Sequence, residues 1–514
     1  MSKIAQYCFF ILAFLLPIQT ILAQLTTNIL GLPEWLNFWK EILCIAIMMV
    51  LLLDLVNKYF STNDRLLYKG VTEENGKLKT PEKLVKKVVD YFAQKKEFII
   101  ATLPLILIIL ITIFSFLSSF VFNKSVLKVF FYGFRFEAWW LWFFAVVATW
   151  WNTSKQHTNL TNIKHFYKYL TISIFLGFSF VAVISSSTLI FGPNKILKPL
   201  GFGNTKQGLI TTAPICQVID FGSDDCRLSG TFSTPNHFSG YLILILPIFI
   251  ITLSYKIKAS IKTKKTLHEN IYISFLSISI VLILVFIYTS YSRFALLGLL
   301  AWFSFWFVSK FGKEFIGKKI TIFTQSLTIL IPLFIGIIGI NLPVEVTQKL
   351  PLGLGKPSST IEHQRHTRAS LDILKESPKL LVTGLGLGSS GPAAKSEYQN
   401  LATENNLYKN FSYISFRWYI IPERITIPEN WYLQLILNGG VIYFILNMTL
   451  ILYVFKNYLN KSNNKNLHIS LAFFTIILGN LLLHLWENQT IALYWTIIWI
   501  WYEAGLDQTE DLSA

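Results

Sequence analysis

Charge is what this sequence has least of. Asp, Glu, Lys and Arg make up 14% of its 514 residues, where soluble globular chains average about 25%. A water-covered surface of ordinary extent is therefore excluded. Arginine is scarcer still, at eight of the 45 basic residues. No internal repeat is recognisable. No small-x-small cleavage site follows the apolar stretch from Lys3 to Ala23, which reads as a retained first span rather than a signal peptide. Only four cysteines are present. Cys8 and Cys44 fall inside apolar runs and read as packing residues. Cys216 and Cys226 share one polar segment, where an oxidising space would let them close a small loop if their Cα atoms lie close enough.

What the chain has in abundance is apolar runs. They recur from end to end, each long enough to cross about 30 Å of hydrocarbon. In lipid such a run must be helical, because its backbone polar groups have no other partners. We read an all-α integral membrane protein, residues 1–514 forming a single polytopic domain. It has twelve spans, at about 4–24, 40–56, 98–121, 136–151, 168–192, 232–254, 271–291, 295–310, 321–341, 431–455, 467–485 and 488–504. The fourth and last are short enough to be half-inserted. The aromatic cluster from Trp486 to Trp501 reads as an interfacial belt.

Lysine-dense short loops, such as Lys256, Lys258, Lys262, Lys264 and Lys265, orient the chain with its N-terminus in the cytoplasm. The formal net charge of +17 then reflects orientation rather than nucleic-acid binding. The segment between Thr80 and Phe98 alternates apolar and charged residues and reads as a cytoplasmic connector or surface helix. Two long loops remain outside, 193–231 and 342–430, and long loops between spans are where membrane enzymes usually carry their sites.

This orientation sorts the arginines. Only Arg65 is cytoplasmic; Arg135, Arg227, Arg293, Arg365, Arg368, Arg417 and Arg424 all fall outside. Orientation needs charge alone, which lysine supplies. Arginine adds a planar fork of donors that binds phosphate oxygens bidentately. The competing reading is that individual arginines pair with loop carboxylates or snorkel. It is weakest for Arg293, in the context SYSRFALLGLL with no acid nearby.

Three stretches carry a resemblance. They are RLSGTFSTPNHFSGY at 227–241, YTSYSRFALL at 288–297, and a long segment. The last opens on His363, Arg365, His366 and Arg368, passes through SPKLLVTGLGLGSSG at 377–391 and ends on ENWYLQLILNGG at 429–440. In this order and topology they resemble the O-antigen ligase and polymerase superfamily over roughly 220–445. The chain departs from that pattern at Glu429, where the ligases carry histidine, and lacks the tryptophan that follows the third motif's arginine.

The resemblance implies a metal-independent glycosyltransferase of the bacterial cytoplasmic membrane with an extracytoplasmic site. It would move a glycan from undecaprenyl pyrophosphate to a glycan, lipid or protein acceptor. No cofactor is expected, and membrane lipids are the other partners. Breaking the anomeric C–O bond builds negative charge on the departing pyrophosphate, and preorganised arginines can stabilise it. Arg227 and Arg365 are the expected catalytic cations, with Arg368 as substitute and Arg293 as a third donor or a structural clamp. Glu429 is the candidate base or an arginine partner. Asn236, His237, His363 and Asn430 complete the expected substrate-binding set. Asp224 and Asp225 read as solvated acids rather than a metal site. Gly384, Gly386, Gly388 and Gly391 follow no strand–helix unit, which excludes a nucleotide loop, and read as a tight fold over the site. Two rivals remain. A flippase or transporter of lipid-linked glycans would show ionisable residues deep in spans, broken helices and paired halves. A transferase using lipid-phosphate sugars would carry an acid in the first outer loop, where Glu34 stands.

Overall fold

The computed structural model describes residues 3–71, 100–122, 127–154, 160–203, 213–218, 226–262, 267–315, 367, 370–375, 377–390, 430–459, 472, 475–476, 480 and 489–506. Helices α1 (Lys3–Leu15) and α2 (Gln19–Gln24) are joined by a tight turn through Pro17, and α3 is Trp39–Val71. Helix α4 is Ile100–Phe122. Then come α5 (Leu127–Gly133), α6 (Trp139–Ser154), α7 (Leu160–Phe191) and the single turn α8 (Pro193–Ile196). Helices α9 (Pro235–Lys262), α10 (Leu267–Thr289) and α11 (Arg293–Phe315) follow, with α12 (Leu380–Thr383), α13 (Trp431–Leu459) and α14 (Gln489–Leu506) closing the order. The one strand pair among the described residues is antiparallel, β1 (Gln217–Val218) against β2 (Cys226–Arg227).

Six helices are long and apolar enough to cross a membrane: Lys3–Ile29, Ile100–Phe122, Asn162–Phe191, Pro235–Ile261, Leu267–Thr289 and Trp431–Tyr453. They coincide with six of the expected spans. The stretches 40–56 and 295–310 fall within α3 and α11, and most of 136–151 and of 488–504 is covered by α6 and α14. The expected span at 321–341 lies outside the described residues, as does nearly all of 467–485 and the connector at 80–98. The chain is thus an all-α membrane protein in its described parts.

The aromatic cluster near the C-terminus is not a belt. Trp495, Trp499 and Trp501 are buried, along with nearly every other residue of α14. A helix apolar on all sides belongs in the middle of a bundle. Phe144 of α6 packs on Trp495 and Trp499, with ring centroids 4.8 and 5.5 Å apart. The two short stretches therefore pack against each other in the core.

Pro17 shows how the bundle settles its backbone. Proline lacks an N–H, so the Ala13 carbonyl loses its helical donor. The Tyr494 hydroxyl of α14 donates to that carbonyl at 3.1 Å. The Thr231 hydroxyl donates to the Pro17 carbonyl at 2.5 Å. Polar contacts sort into two ends. Thr231–Pro17, Thr490–Gln19 and Gln489–Arg135 lie at one end. Trp150–Asp54, Asn152–Tyr453 and Tyr453–Ile100 lie at the other.

Candidate functional site

Cys216 and Cys226 are joined by a disulfide, with Cα atoms 5.3 Å apart, which closes the β1–β2 loop and fixes the start of β2. Arg227 follows at once. The Leu228 N–H donates to the Thr289 carbonyl at 3.1 Å, clipping this strand to the end of α10. Gly230 turns the chain with φ +55°, and a Cβ there would stand 2.7 Å from both the Phe238 ring and the Ser185 hydroxyl. Only glycine fits that turn. Thr234 then caps α9, accepting from the His237 N–H at 3.2 Å, with Pro235 in the first helical position. This is the usual pairing of a hydroxyl cap and a proline lacking a donor.

The Arg227 guanidinium is held from three directions. Nε donates to the Ser290 carbonyl at 3.0 Å, and Nη2 donates to Asn236 Oδ1 at 2.9 Å and the Tyr291 carbonyl at 3.4 Å. The Ser292 hydroxyl donates to the same Asn236 oxygen at 3.0 Å. Tyr291, between the two buried serines, is the one non-glycine with positive φ (48°) among the described residues. Such a residue marks a turn determined by its surroundings. The first two motif stretches thus fold into one cluster. Arg293 opens α11 beside it. Burial, together with the nearby Arg293 guanidinium, pushes the Arg227 guanidinium down to about 10, still cationic at neutral pH. No carboxylate among the described residues forms an ion pair with Arg227. Its Nη1 edge makes no hydrogen bond to a described residue. Two neighbouring cations, one pre-oriented by neutral acceptors, can bind an anion with little reorganisation. His237 lies in the same turn, with Nδ1 3.4 Å from the Ser233 hydroxyl.

The third stretch forms a different structure. Helix α13 is broken at Gly440 (φ 79°), and the break frees carbonyls of its first half. Leu385 N–H donates to the Leu437 carbonyl at 2.6 Å and Gly386 N–H to the Asn438 carbonyl at 3.0 Å. The 384–390 segment is therefore buried between helices. Gly388 meets Gly133 of α5 backbone to backbone, leaving no room for a Cβ on either. Gly384, Gly386 and Gly388 fold into the bundle, while Gly391 lies outside the described residues. At the centre stands Glu137, 1% exposed. Its Oε1 accepts from Gln434 Nε2 at 3.0 Å and from Asn438 Nδ2. Its Oε2 is buried without a hydrogen-bond partner among the described residues. Asn438 Oδ1 in turn accepts from Ser390 N–H at 2.9 Å and Ser390 Oγ at 2.8 Å.

Of the expected site residues, Arg227, Asn236, His237 and Arg293 come together. Asn430 instead caps α13, its Oδ1 accepting from the Leu433 N–H at 3.0 Å. Arg365, Arg368, His363 and Glu429 lie outside the described residues, as do Asp224 and Asp225. Arg135 pairs with Glu41 at 2.8 Å. Glu137 was not among the expected residues. An acid at the mouth of the aromatic run FRFEAWW is the signal that marks it, since ionisable groups in such places seldom lack a role. Among the described residues no group of three His, Cys, Asp or Glu side chains is placed to hold a metal. No protein-family model, no curated protein and no solved structure matches the chain, so its function is to be argued from these residues alone.

Proposed function

We propose that this protein is a membrane glycosyltransferase of the O-antigen ligase or polymerase type. It transfers a glycan from a polyprenyl pyrophosphate to an acceptor hydroxyl at the outer face of the cytoplasmic membrane. The observation that supports this reading is the Arg227 cluster, in which two sequence stretches resembling that family's motifs meet around one oriented guanidinium with a second beside it. The anomeric carbon would leave its pyrophosphate oxygen for the acceptor oxygen. Charge left on the pyrophosphate would be taken up by Arg227 and Arg293, assisted by Arg365 or Arg368. The acceptor's proton would pass to a nearby base, for which Glu429 is the sequence candidate.

One observation favours a second reading, a flippase or transporter of the same lipid-linked glycan. Helix α13 is broken at Gly440 and a buried carboxyl stands beside the break, and both features suit alternating access. The two readings separate in proteoliposomes containing a lipid-pyrophosphate glycan and an acceptor. A transferase makes a new glycosidic product without moving lipid between leaflets. Arg227→Lys keeps the charge but loses the fork, so transfer should fall at least about a hundredfold, in line with loss of one transition-state donor. Undiminished transfer in Arg227→Lys and Arg365→Lys removes the pyrophosphate clamp, and lipid movement without product favours the flippase.

A further inference from the structure

A second surplus of positive charge lies at the Arg227 end of the bundle. Lys40, in the first turn of α3, is only 5% exposed. Neither an ion pair nor a hydrogen bond joins its ammonium to a described residue. Its neighbour Glu41 is committed elsewhere: Oε1 accepts from Arg135 Nε at 3.1 Å and Nη2 at 2.8 Å. Glu41 Oε2 is buried without a hydrogen-bond partner among the described residues. The Arg135 guanidinium lies 4.2 Å over the Phe38 ring, a cation–π contact that fixes its plane. The buried Lys40 ammonium is attracted by Glu41 and repelled by Arg135. Among the described residues two cations thus share one carboxylate, whose hydrogen bonds go to Arg135, and such a surplus of buried charge is unfavourable unless an anion completes the site.

A further feature suits an amphiphilic anion at the start of α3. The segment leading into it is apolar and exposed, with Leu30 at 64%, Trp35 at 63%, and Leu32 and Phe38 also open. Exposed leucine and tryptophan beside cations are the composition of a membrane–water interface. An anion reaching Lys40 there would arrive as the head of an amphiphile whose chains lie along these residues. Hydrogen bonds tie this pocket to the Arg227 loop through α1 and α14: Gln489 donates to the Arg135 carbonyl, Thr490 to Gln19, and Thr231 to the Pro17 carbonyl.

We infer that Lys40 and Arg135 form a binding site for the phosphate group of a membrane lipid, separate from the Arg227 cluster. The phosphate pairs with the Lys40 ammonium and the Nη1 edge of Arg135. Glu41 Oε2 accepts a hydroxyl of the headgroup, and Trp35 and Leu30 cover the first carbons of the chains.

The test uses the full chain, delipidated in a neutral detergent, with thermal unfolding as readout. Three probes are compared: dioctanoyl phosphatidic acid, dioctanoylglycerol and inorganic pyrophosphate. Phosphatidic acid should raise the melting temperature of the wild type in a concentration-dependent way, and dioctanoylglycerol should not. Lys40→Met should melt higher than wild type without ligand, because it removes the surplus buried charge. It should also bind phosphatidic acid at least tenfold more weakly, while Arg227→Met keeps the wild-type shift. A pyrophosphate shift as large as that of phosphatidic acid that persists in Arg227→Met and is lost in Lys40→Met would overturn the lipid assignment. Equal shifts in wild type and Lys40→Met, or none, would overturn the site. Should Lys40→Met fail to fold, amine-reactive labelling of the wild type decides. Phosphatidic acid should protect the Lys40 peptide, and unprotected labelling would sink the proposal.

Discussion

The buried junction of Asn438, Glu137 and Ser390 allows a prediction whose sign depends on the direction of each hydrogen bond. Asn438 is fully buried. Its amide orientation is determined by its partners, with Oδ1 toward the Ser390 N–H and hydroxyl and Nδ2 toward Glu137. Asn438→Ala strands two donors of Ser390 in the interior. At about 1–3 kcal/mol for each unsatisfied group, the loss is about 3–5 kcal/mol, less whatever a water in the vacated volume restores. Asn438→Asp preserves the acceptor for Ser390 but turns a second carboxylate toward Glu137. Uncompensated buried charge costs about 3–5 kcal/mol on its own, and the contact with Glu137 adds to it, so Asp should be worse than Ala despite being nearly isosteric. Glu137→Gln in the Asp background removes the second carboxylate, and the amide introduced at position 137 can donate to the carboxylate introduced at position 438. The rescue is partial, because Glu137 Oε1 accepts from both Gln434 and Asn438 and an N–H in its place no longer accepts from Gln434, and the donation from Asn438 Nδ2 to the Ser390 carbonyl is lost as well.

The expected stability order therefore has wild type first and Asn438→Asp last, with Glu137→Gln/Asn438→Asp and Asn438→Ala between them. The measurement is apparent melting temperature in lipid nanodiscs at neutral pH, followed by tryptophan fluorescence. The order matters more than the absolute shift, because large membrane proteins often unfold irreversibly. If Asn438→Asp melts no lower than Asn438→Ala, or if Glu137→Gln fails to rescue it, Glu137 is not the group facing the Asn438 amide.

Two other outcomes follow from single contacts. Tyr494→Phe should cost about 1–2 kcal/mol by leaving the Ala13 carbonyl unpaired, and most of that should return in Pro17→Ala/Tyr494→Phe, where the backbone regains its own donor; equal melting of the single and double variants would show that the hydroxyl is not that carbonyl's partner. Cys216→Ser should release the short β1–β2 loop at about 2–3 kcal/mol of local stability, and Cys226 should become alkylatable without reductant, whereas alkylation of the untreated wild type at Cys226 would refute the disulfide.

The spans were legible because lipid leaves a long apolar run one option, and runs such as 98–121 and 271–291 contain little else. Which helices lie at the centre was not legible. Trp495 and Trp499 suit an interface as well as a core, and only packing against Phe144 decides between them. Half of the candidate site could be read directly, since Arg227 and Asn236 share a turn and Arg293 opens the next motif. The carbonyls that orient Arg227 could not, because Ser290 and Tyr291 act through their backbones, and a backbone acceptor has no letter in a sequence. Asn438-Gly439-Gly440 did carry a signal for a broken helix, but a run of apolar residues on either side masks it. Asn430 shows the reverse case: a residue matching a motif register whose side chain is spent on capping its own helix.

The break in α13 also bears on how the chain is assembled in the bilayer. A helix entering lipid normally arrives with its backbone satisfied from within, but the half ending at Gly440 leaves the carbonyls of Leu437 and Asn438 to be filled from elsewhere. Their donors, Leu385 and Gly386, are synthesised earlier. The surfaces that seat those donors, Ser118 and Ser119 of α4 and Gly133 of α5, are made earlier again. Translation order thus supplies a receptor before the helix that needs it, and α13 can enter the bilayer directly onto partners that complete it.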